Sequence, residues 1–198
     1  MDIFSDNIFS KRLNEKLANG GVVSFVTDTV WGVGCLPNNE KGVENIYELK
    51  NRDRSKPLIL MSDNVENLLP YVKNISPKAK ALMDKFFPGA LTLIFEKSDL
   101  TPDFVTSNQN TVGIRVPNNP VFQQLCKNID GNVLATTSAN LSGQEPALNY
   151  DEALKNVGAQ VDYVFEDYGF ACQGIASTVA LALGEDIKVL RQGEVVVE

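Results

Sequence analysis

The chain has 198 residues, of which 43% are hydrophobic, and it carries a formal net charge of -7 at pH 7. This length and hydrophobic content can supply one substantial core, so we expect a single domain over residues 1–198. No apolar run approaches the roughly 20 residues that cross a bilayer, and the amino terminus lacks the basic-then-apolar order of a signal peptide, which predicts a cytoplasmic protein without a membrane partner.

Helices and strands alternate along the sequence. In chain order, the patterns predict a helix at 7–18, a strand at 22–26, a helix over 43–49, a strand at 58–61, helical stretches at 64–71 and 76–86, strands at 91–95 and 112–116, a helix at 119–128, a strand at 133–136, a helix at 150–157, and strands at 161–165, 177–183, 187–191 and 194–197. Short turns between the last three strands favour antiparallel pairing. The order predicts an α/β fold with a mixed sheet flanked by helices.

The residue counts limit the chemistry that the chain can perform. The sequence contains no histidine, which excludes imidazole bases, catalytic triads that use histidine and histidine-ligated metals. Its cysteines, Cys35, Cys126 and Cys172, have no CxxC spacing, so we expect buried thiols and no metal site. We expect Lys, Arg, hydroxyls and backbone amides to substitute for these groups through positioning and electrostatics, on which phosphoryl or nucleotidyl chemistry chiefly depends.

Residues 50–57 concentrate positive charge. Lys50, Arg52, Arg54 and Lys56 surround one carboxylate, Asp53, and this net charge of +3 leaves -10 on the rest of the chain. A local cationic segment in an acidic molecule is suited to phosphates or carboxylates. The alternative is a solvated helix end, where cations are favoured by the helix dipole.

Two polar loops follow predicted strands. Residues 27–34, with hydroxyls and two glycines, come directly after the first strand, and residues 136–143 offer hydroxyls, an amide and backbone N–H groups. Loops at strand ends open onto the crevices in which α/β proteins bind ligands. Each loop is also compatible with an ordinary polar turn.

Three further positions are candidates. Arg115 lies in an apolar strand, where it either faces solvent or is paired with a carboxylate, a phosphate or another acceptor. Ser177 begins a late strand and Arg191 ends another, so both are candidate lining groups.

Taken together, these motifs resemble the YrdC-like family of threonylcarbamoyl-AMP synthases. The resemblance runs in order from residue 21 to residue 193 and rests on Thr27-Asp28-Thr29, Trp31-Gly32, Lys50-x-Arg52, Lys56-Pro57-Leu58, Pro88-Gly89, Arg115-Val116-Pro117, Ser138-Ala139-Asn140-Leu141-Ser142-Gly143, Ser177-Thr178 and Leu190-Arg191-x-Gly193. Within this family, the chain resembles the short, single-domain bacterial form.

The resemblance implies a YrdC-like fold, with a twisted sheet around a concave, positively lined cavity. It implies a nucleotidyltransferase that converts L-threonine, bicarbonate and ATP, accompanied by Mg²⁺, into threonylcarbamoyl-AMP and pyrophosphate. Partner proteins of a transfer complex then move the threonylcarbamoyl group to an adenosine of tRNA. The family pattern implies threonine binding by Thr29, Arg115, Thr136 and Ser177. It implies ATP binding by Lys50, Arg52, Lys56, Thr111, Ser138, Asn140 and Arg191, with Lys50 and Arg52 serving catalysis at the phosphates.

Two residues depart from the family pattern. Trp31 stands where the family usually has tyrosine, and Met61 where many relatives have histidine, so contacts to threonine are expected to differ. The alternative function is a module that binds tRNA, other double-stranded RNA or a maturing ribosome through the same cationic concavity, which a net charge of -7 disfavours. A third is carbamoyl-adenylate formation from carbamoyl phosphate.

Overall fold

The computed structural model describes residues 7–197. Within this range the α-helices are α1 (Asn7–Ala18), α2 (Glu40–Lys50), α3 (Pro77–Phe86), α4 (Pro120–Lys127) and α5 (Tyr150–Val157). The strands are β1 (Val23–Phe25), β2 (Gly32–Cys35), β3 (Ile59–Ser62), β4 (Val72–Lys73), β5 (Leu91–Lys97), β6 (Thr111–Arg115), β7 (Val133–Ser138), β8 (Tyr163–Val164), β9 (Thr178–Leu183) and β10 (Asp186–Arg191).

The strands form one mixed sheet, as the sequence predicts. Its order is β10-β9-β5-β6-β3-β7-β2-β1-β8, and β4 pairs with β5 outside this path. The pairs β5–β9, β3–β6 and β1–β8 are parallel, and the other pairs are antiparallel. Strand β7 lies between β2 and β3, where Thr136 is opposite both Gly34 and Ile59. The centre of the sheet therefore combines segments that are far apart in the chain.

Helix α2 shows how the sequence places a polar group inside the fold. Its N-cap, Asn39, accepts a hydrogen bond from the Gly42 amide, and its C-cap, Asn51, is left-handed with φ 47°. The buried side is Val43, Ile46 and Tyr47, followed by Lys50. These positions follow the i, i+3, i+4, i+7 spacing of one helix face, so Lys50 continues an apolar stripe into the core.

The helix at 76–86 is confirmed in detail. The Ser76 side chain accepts a hydrogen bond from the Ala79 amide, and Pro77 occupies the first turn of α3. Proline is tolerated there because a first-turn N–H has no partner within the helix. Helix α4 packs against the sheet, since Phe122 contacts Phe25 of β1 with ring centroids 4.9 Å apart.

Four sequence predictions require correction. The loop predicted at 27–34 contains the start of β2, and the helical stretch at 64–71 consists of two 3₁₀ turns. No strand covers 194–197 in the described chain, and the short strand β4 was not predicted. Instead, the Thr178 hydroxyl donates a hydrogen bond to the Val195 carbonyl at 2.7 Å, which attaches residues 194–197 to the start of β9.

Candidate active site

A cavity of about 440 Å³ opens against the central strands. Nine of the eleven site residues predicted from the sequence line it, namely Thr29, Arg52, Thr111, Arg115, Thr136, Ser138, Asn140, Ser177 and Arg191. The other two, Lys50 and Lys56, are not part of its lining. Residues from seven strands, β2, β3, β5, β6, β7, β9 and β10, and from the segments that connect them thus meet at one place.

The lining carries positive charge without acidic side chains. Three arginines, Arg52, Arg115 and Arg191, face the cavity, and no aspartate or glutamate is among its lining residues. Desolvation by burial lowers the pKa of each of these three guanidinium groups. Burial removes water that would stabilise these positive charges, and an anion bound in the cavity would stabilise them instead. The cavity is therefore suited to phosphate and carboxylate groups.

Arg115 is the most buried of these arginines, with only 3% of its side chain exposed. Its Nε donates to the Gly89 carbonyl at 3.0 Å, its Nη1 to the Thr29 hydroxyl at 2.7 Å and its Nη2 to the Asp28 carboxylate. The sequence left open whether Arg115 faces solvent or is paired, and the structure shows it paired. Among residues 7–197 these partners use three of its five N–H groups, which leaves one on each terminal nitrogen for a ligand carboxylate.

The Thr29 hydroxyl belongs to a compact turn between β1 and β2. Thr27 Oγ1 lies 3.0 Å from Thr29 Oγ1, accepts from the Thr29 amide at 3.2 Å and donates to the Val30 carbonyl at 2.7 Å. Both threonine side chains are buried. The turn therefore fixes the hydroxyl that contacts Arg115.

Thr92 of β5, Ser177 just before β9 and Arg191 at the end of β10 form a second polar group. Thr92 Oγ1 and Ser177 Oγ are 2.9 Å apart, and both residues are buried. Arg191 donates to the Ser177 carbonyl from Nε at 3.1 Å and from Nη2 at 2.8 Å. The parallel pairing of Leu91 with Thr178 places these segments side by side.

The four cations of residues 50–57 separate in the fold. Only Arg52 lines the cavity, and its Nε and Nη2 donate to the carbonyls of Lys56 and Pro57 at 3.1 and 3.0 Å. Arg54 pairs with Glu44 on the surface, and Lys56 is exposed. The expected cluster of phosphate ligands is therefore reduced to one arginine at the cavity wall.

Lys50 is buried and does not itself line the cavity, but its amine contacts two residues that do. Its Nζ donates to the carbonyls of Ser138 and Asn140, each at 2.5 Å, and to Asn140 Oδ1 at 3.0 Å. Burial, with a smaller contribution from Arg52, lowers the pKa of Lys50 to about 7. Its charge is held by carbonyl dipoles at the base of the 136–143 loop.

Several lining residues were not predicted from the sequence as site residues. Thr92, Gln109 and Gln144 add polar groups to the wall. The inward position of Thr92 could have been inferred from the alternation of β5, but the two glutamines lie in loops without a distinguishing pattern. Trp31 and Met61, the two departures from the family pattern, also line the cavity, and among the described residues Trp31 Nε1 is a buried donor without an acceptor.

The three cysteines contribute no site. All are free, with Cys35 and Cys126 buried and Cys172 half-buried. Burial raises the pKa of the Cys35 thiol to about 12 and also raises that of Cys126. None of them lines the cavity.

In the range 7–197, no helix is long and apolar enough to span a bilayer.

Comparison with known proteins finds relatives that share one family. Residues 15–193 match the Sua5/YciO/YrdC family model, which carries the description "Telomere recombination". Threonylcarbamoyl-AMP synthase of Pseudoalteromonas translucida is 37% identical over 157 residues, which cover 76% of this chain and 81% of the relative. The synthase of Thiobacillus denitrificans is 34% identical and covers 77% of this chain and 80% of its own length.

Solved structures share the fold. Sua5 of P. abyssi in complex with L-threonine superposes with a TM-score of 0.86 at 28% identity, over 95% of this chain and 55% of that one. E. coli YciO superposes with a TM-score of 0.82 at 25% identity, over 95% of this chain and 90% of YciO. The chain thus spans about half the length of Sua5 and nearly all of YciO.

Proposed function

The chain belongs to the Sua5/YciO/YrdC family, and we propose that it is a nucleotidyltransferase that makes threonylcarbamoyl-AMP and pyrophosphate from L-threonine, bicarbonate and ATP. The observation that carries this proposal is the cavity with three arginines and no acidic side chain in its wall. All three reactants are anions or carry an anionic group. A positively lined cavity in a chain of net charge -7 concentrates such reactants.

Threonine is assigned to the part of the cavity around Arg115. The remaining N–H groups of Arg115 suit a bidentate contact with the threonine carboxylate. Thr29 is fixed against Arg115, and Thr136 and Ser177 line the same cavity. Asp28 lies outside the lining and keeps the guanidinium in place without competing for the substrate.

The nucleotide is assigned to the remaining polar wall. Arg52 and Arg191 supply charge for the phosphates, and Thr111, Ser138 and Asn140 supply hydrogen-bonding groups. Lys56, expected to bind ATP, is exposed and outside the lining. This proposal therefore assigns two cations, Arg52 and Arg191, to the phosphates of ATP.

The chemistry requires positioning and charge compensation. The threonine nitrogen attacks the bicarbonate carbon, and loss of water leaves a carbamate. A carbamate oxygen then attacks the α-phosphorus of ATP, the bond to the β-phosphate oxygen breaks, and pyrophosphate leaves. Fixed guanidinium groups stabilise the charge that develops on the phosphate oxygens, and no protein nucleophile is needed.

Magnesium fits as part of the ATP substrate. In the range 7–197, no group of three His, Cys, Asp or Glu side chains could ligate a metal ion. Mg²⁺ commonly binds through substrate phosphates with several waters retained, so the triphosphate itself can carry it. The ion neutralises phosphate charge together with Arg52 and Arg191.

A reconstituted reaction tests the function. Purified protein is incubated with ATP, Mg²⁺, bicarbonate and L-threonine, and threonylcarbamoyl-AMP is measured by mass spectrometry, with separate omissions of bicarbonate and threonine. We expect the product only in the complete mixture, and a loss of at least tenfold in the Arg52→Met variant. Folded, ATP-binding protein that forms no product would contradict the proposal, and salt-sensitive RNA binding would then favour the RNA-binding alternative.

The product has to be consumed by a second reaction. Threonylcarbamoyl-AMP is a mixed anhydride, and we assign its use to partner proteins that transfer the threonylcarbamoyl group to tRNA in the cytoplasm. Addition of those partners and tRNA to the reaction above should convert the intermediate into modified adenosine.

A further inference from the structure

The Lys50 ammonium is fully engaged within the protein. The residue is 1% exposed, and its three N–H groups face three acceptors: two carbonyls at 2.5 Å and Asn140 Oδ1 at 3.0 Å. A lysine ammonium has three donors and no acceptor. No N–H therefore remains for a phosphate unless one of these bonds breaks.

The acceptors of Lys50 belong to one segment, residues 138–144. The Ser142 amide donates back to the Lys50 carbonyl at 2.8 Å, so both the side chain and the backbone of Lys50 contact the segment. Asn140 then extends the connection, since its Nδ2 donates to the carbonyls of Leu141 at 2.9 Å and Gln144 at 2.7 Å. The end of α2 and the 138–144 segment are joined at Lys50.

The segment carries three residues of the cavity wall. Ser138, Asn140 and Gln144 line the cavity, and Ser138 Oγ donates to Asn140 Oδ1 at 2.5 Å. That same amide oxygen accepts from Lys50. Loss of the Lys50 amine would remove one donor from this oxygen and one from each of the two carbonyls at once, and the polar wall would lose its fixed geometry.

No carboxylate forms an ion pair with Lys50 among residues 7–197. A buried cation held only by dipoles is costly, and an apolar side chain at this position of the α2 stripe would pack without that cost. Burial also lowers the pKa of the amine to about 7, which reflects the same cost. A lysine at this position is therefore explained by what its hydrogen bonds hold in place.

We propose that Lys50 is a positioning residue, which fixes the 138–144 segment for nucleotide binding and does not itself contact the phosphates. The inference rests on the proposed function only in taking a nucleotide as the ligand. It replaces the direct catalytic role at the phosphates that the Lys50-x-Arg52 motif suggests. Arg52 remains the phosphate contact of that motif.

Hydrogen exchange of the ligand-free protein tests the inference without any enzymatic assay. In Lys50→Met, amides of the 138–144 segment should exchange at least about tenfold faster than in the wild type. The control is Lys41→Met, which replaces an exposed lysine on the same helix and should leave the exchange of these amides unchanged. Wild-type exchange of the segment in a folded Lys50→Met protein would overturn the proposal. Should Lys50→Met not fold, Lys50→Gln, which keeps two N–H donors, should give a smaller acceleration in the same segment, and its absence would also overturn the proposal.

Nucleotide binding separates positioning from direct contact. Affinities for adenosine, AMP and a non-hydrolysable ATP analogue are measured by calorimetry in wild type, Lys50→Met, Ser138→Ala and the double variant. A positioning role predicts a similar fold-loss for all three ligands and a double variant little weaker than the worse single variant. A loss that grows with the number of phosphates, and that adds to the Ser138→Ala loss, would overturn it. A wild-type protein that binds no nucleotide would contradict the proposed function, and the exchange experiment would still decide the role of Lys50.

Discussion

Replacement of Asp28 by asparagine tests the electrostatic design of the site. Asp28 and Arg115 form an ion pair whose side chains are 11% and 3% exposed. Removing one partner of a buried pair costs about 3 to 5 kcal/mol, because the other charge is left uncompensated. Since asparagine keeps one acceptor oxygen, we expect the lower end, about 3 kcal/mol, which corresponds to a fall in melting temperature of roughly 6 to 12 °C for a domain of this size.

Urea unfolding and thermal melts followed by circular dichroism measure this loss. Glu44→Gln is the matched control, since it breaks an arginine–carboxylate pair with both side chains largely exposed, and no measurable change is expected. If threonine binds at Arg115, its carboxylate should replace the lost charge, so threonine should raise the melting temperature of Asp28→Asn more than that of the wild type. A free energy of unfolding within about 1 kcal/mol of the wild type would refute the reasoning, because the hydroxyl and carbonyl contacts of Arg115 would then suffice without the ion pair.

Three further outcomes are expected. Burial lowers the pKa of Lys50 from 10.5 to about 7, so between these pH values the unfolded chain binds more protons than the folded protein. The free energy of unfolding should therefore rise as the pH is raised across this window. In urea titrations at several pH values, Lys50→Met should show a smaller rise. A thiol reagent should modify half-buried Cys172 in the native protein and reach Cys35 and Cys126 only after unfolding; rapid labelling of all three would contradict their burial. Trp31→Phe should lower stability by less than about 1.5 kcal/mol, since it deletes a buried donor that has no acceptor among residues 7–197; a loss above about 3 kcal/mol in urea unfolding would show that the donor is satisfied.

Local sequence signals predicted most elements of the fold. The N-cap Ser76 with Pro77 located the start of α3, and β-rich runs located the central strands. Local signals were insufficient where glycines interrupt the pattern, as in β2, because Gly32 is required by close packing: a Cβ there would lie 2.8 Å from the Phe25 ring. Residues 194–197 alternate like a strand, but in the structure β10 is the last strand of the described chain.

Motif recognition placed nine of eleven candidate residues at the cavity, yet it could not assign orientation to lysines. From the motif alone, Lys50 and Lys56 are equivalent cations of the segment 50–57. The helix register of α2 separates them, since Lys50 falls on the stripe of Val43 and Ile46 whereas Lys56 lies beyond the helix end. Extending the helical spacing of Val43 and Ile46 to residue 50 would have predicted that the Lys50 amine is buried. The acceptors of that amine come from β7 and the loop after it, far away in sequence, and only the tertiary structure reveals them.

The position of β9 in the sheet bears on how the protein matures. This strand pairs with β5, so Ser177 meets Thr92 across 85 residues of chain, and Arg191 reaches Ser177 only once β10 has paired with β9. During synthesis the ligand-binding wall therefore stays incomplete until residue 191 has emerged from the ribosome. Substrate contacts that need Arg191 cannot stabilise the nascent chain before then, so its earlier stages depend on the hydrophobic core and on the hydrogen bonds already formed.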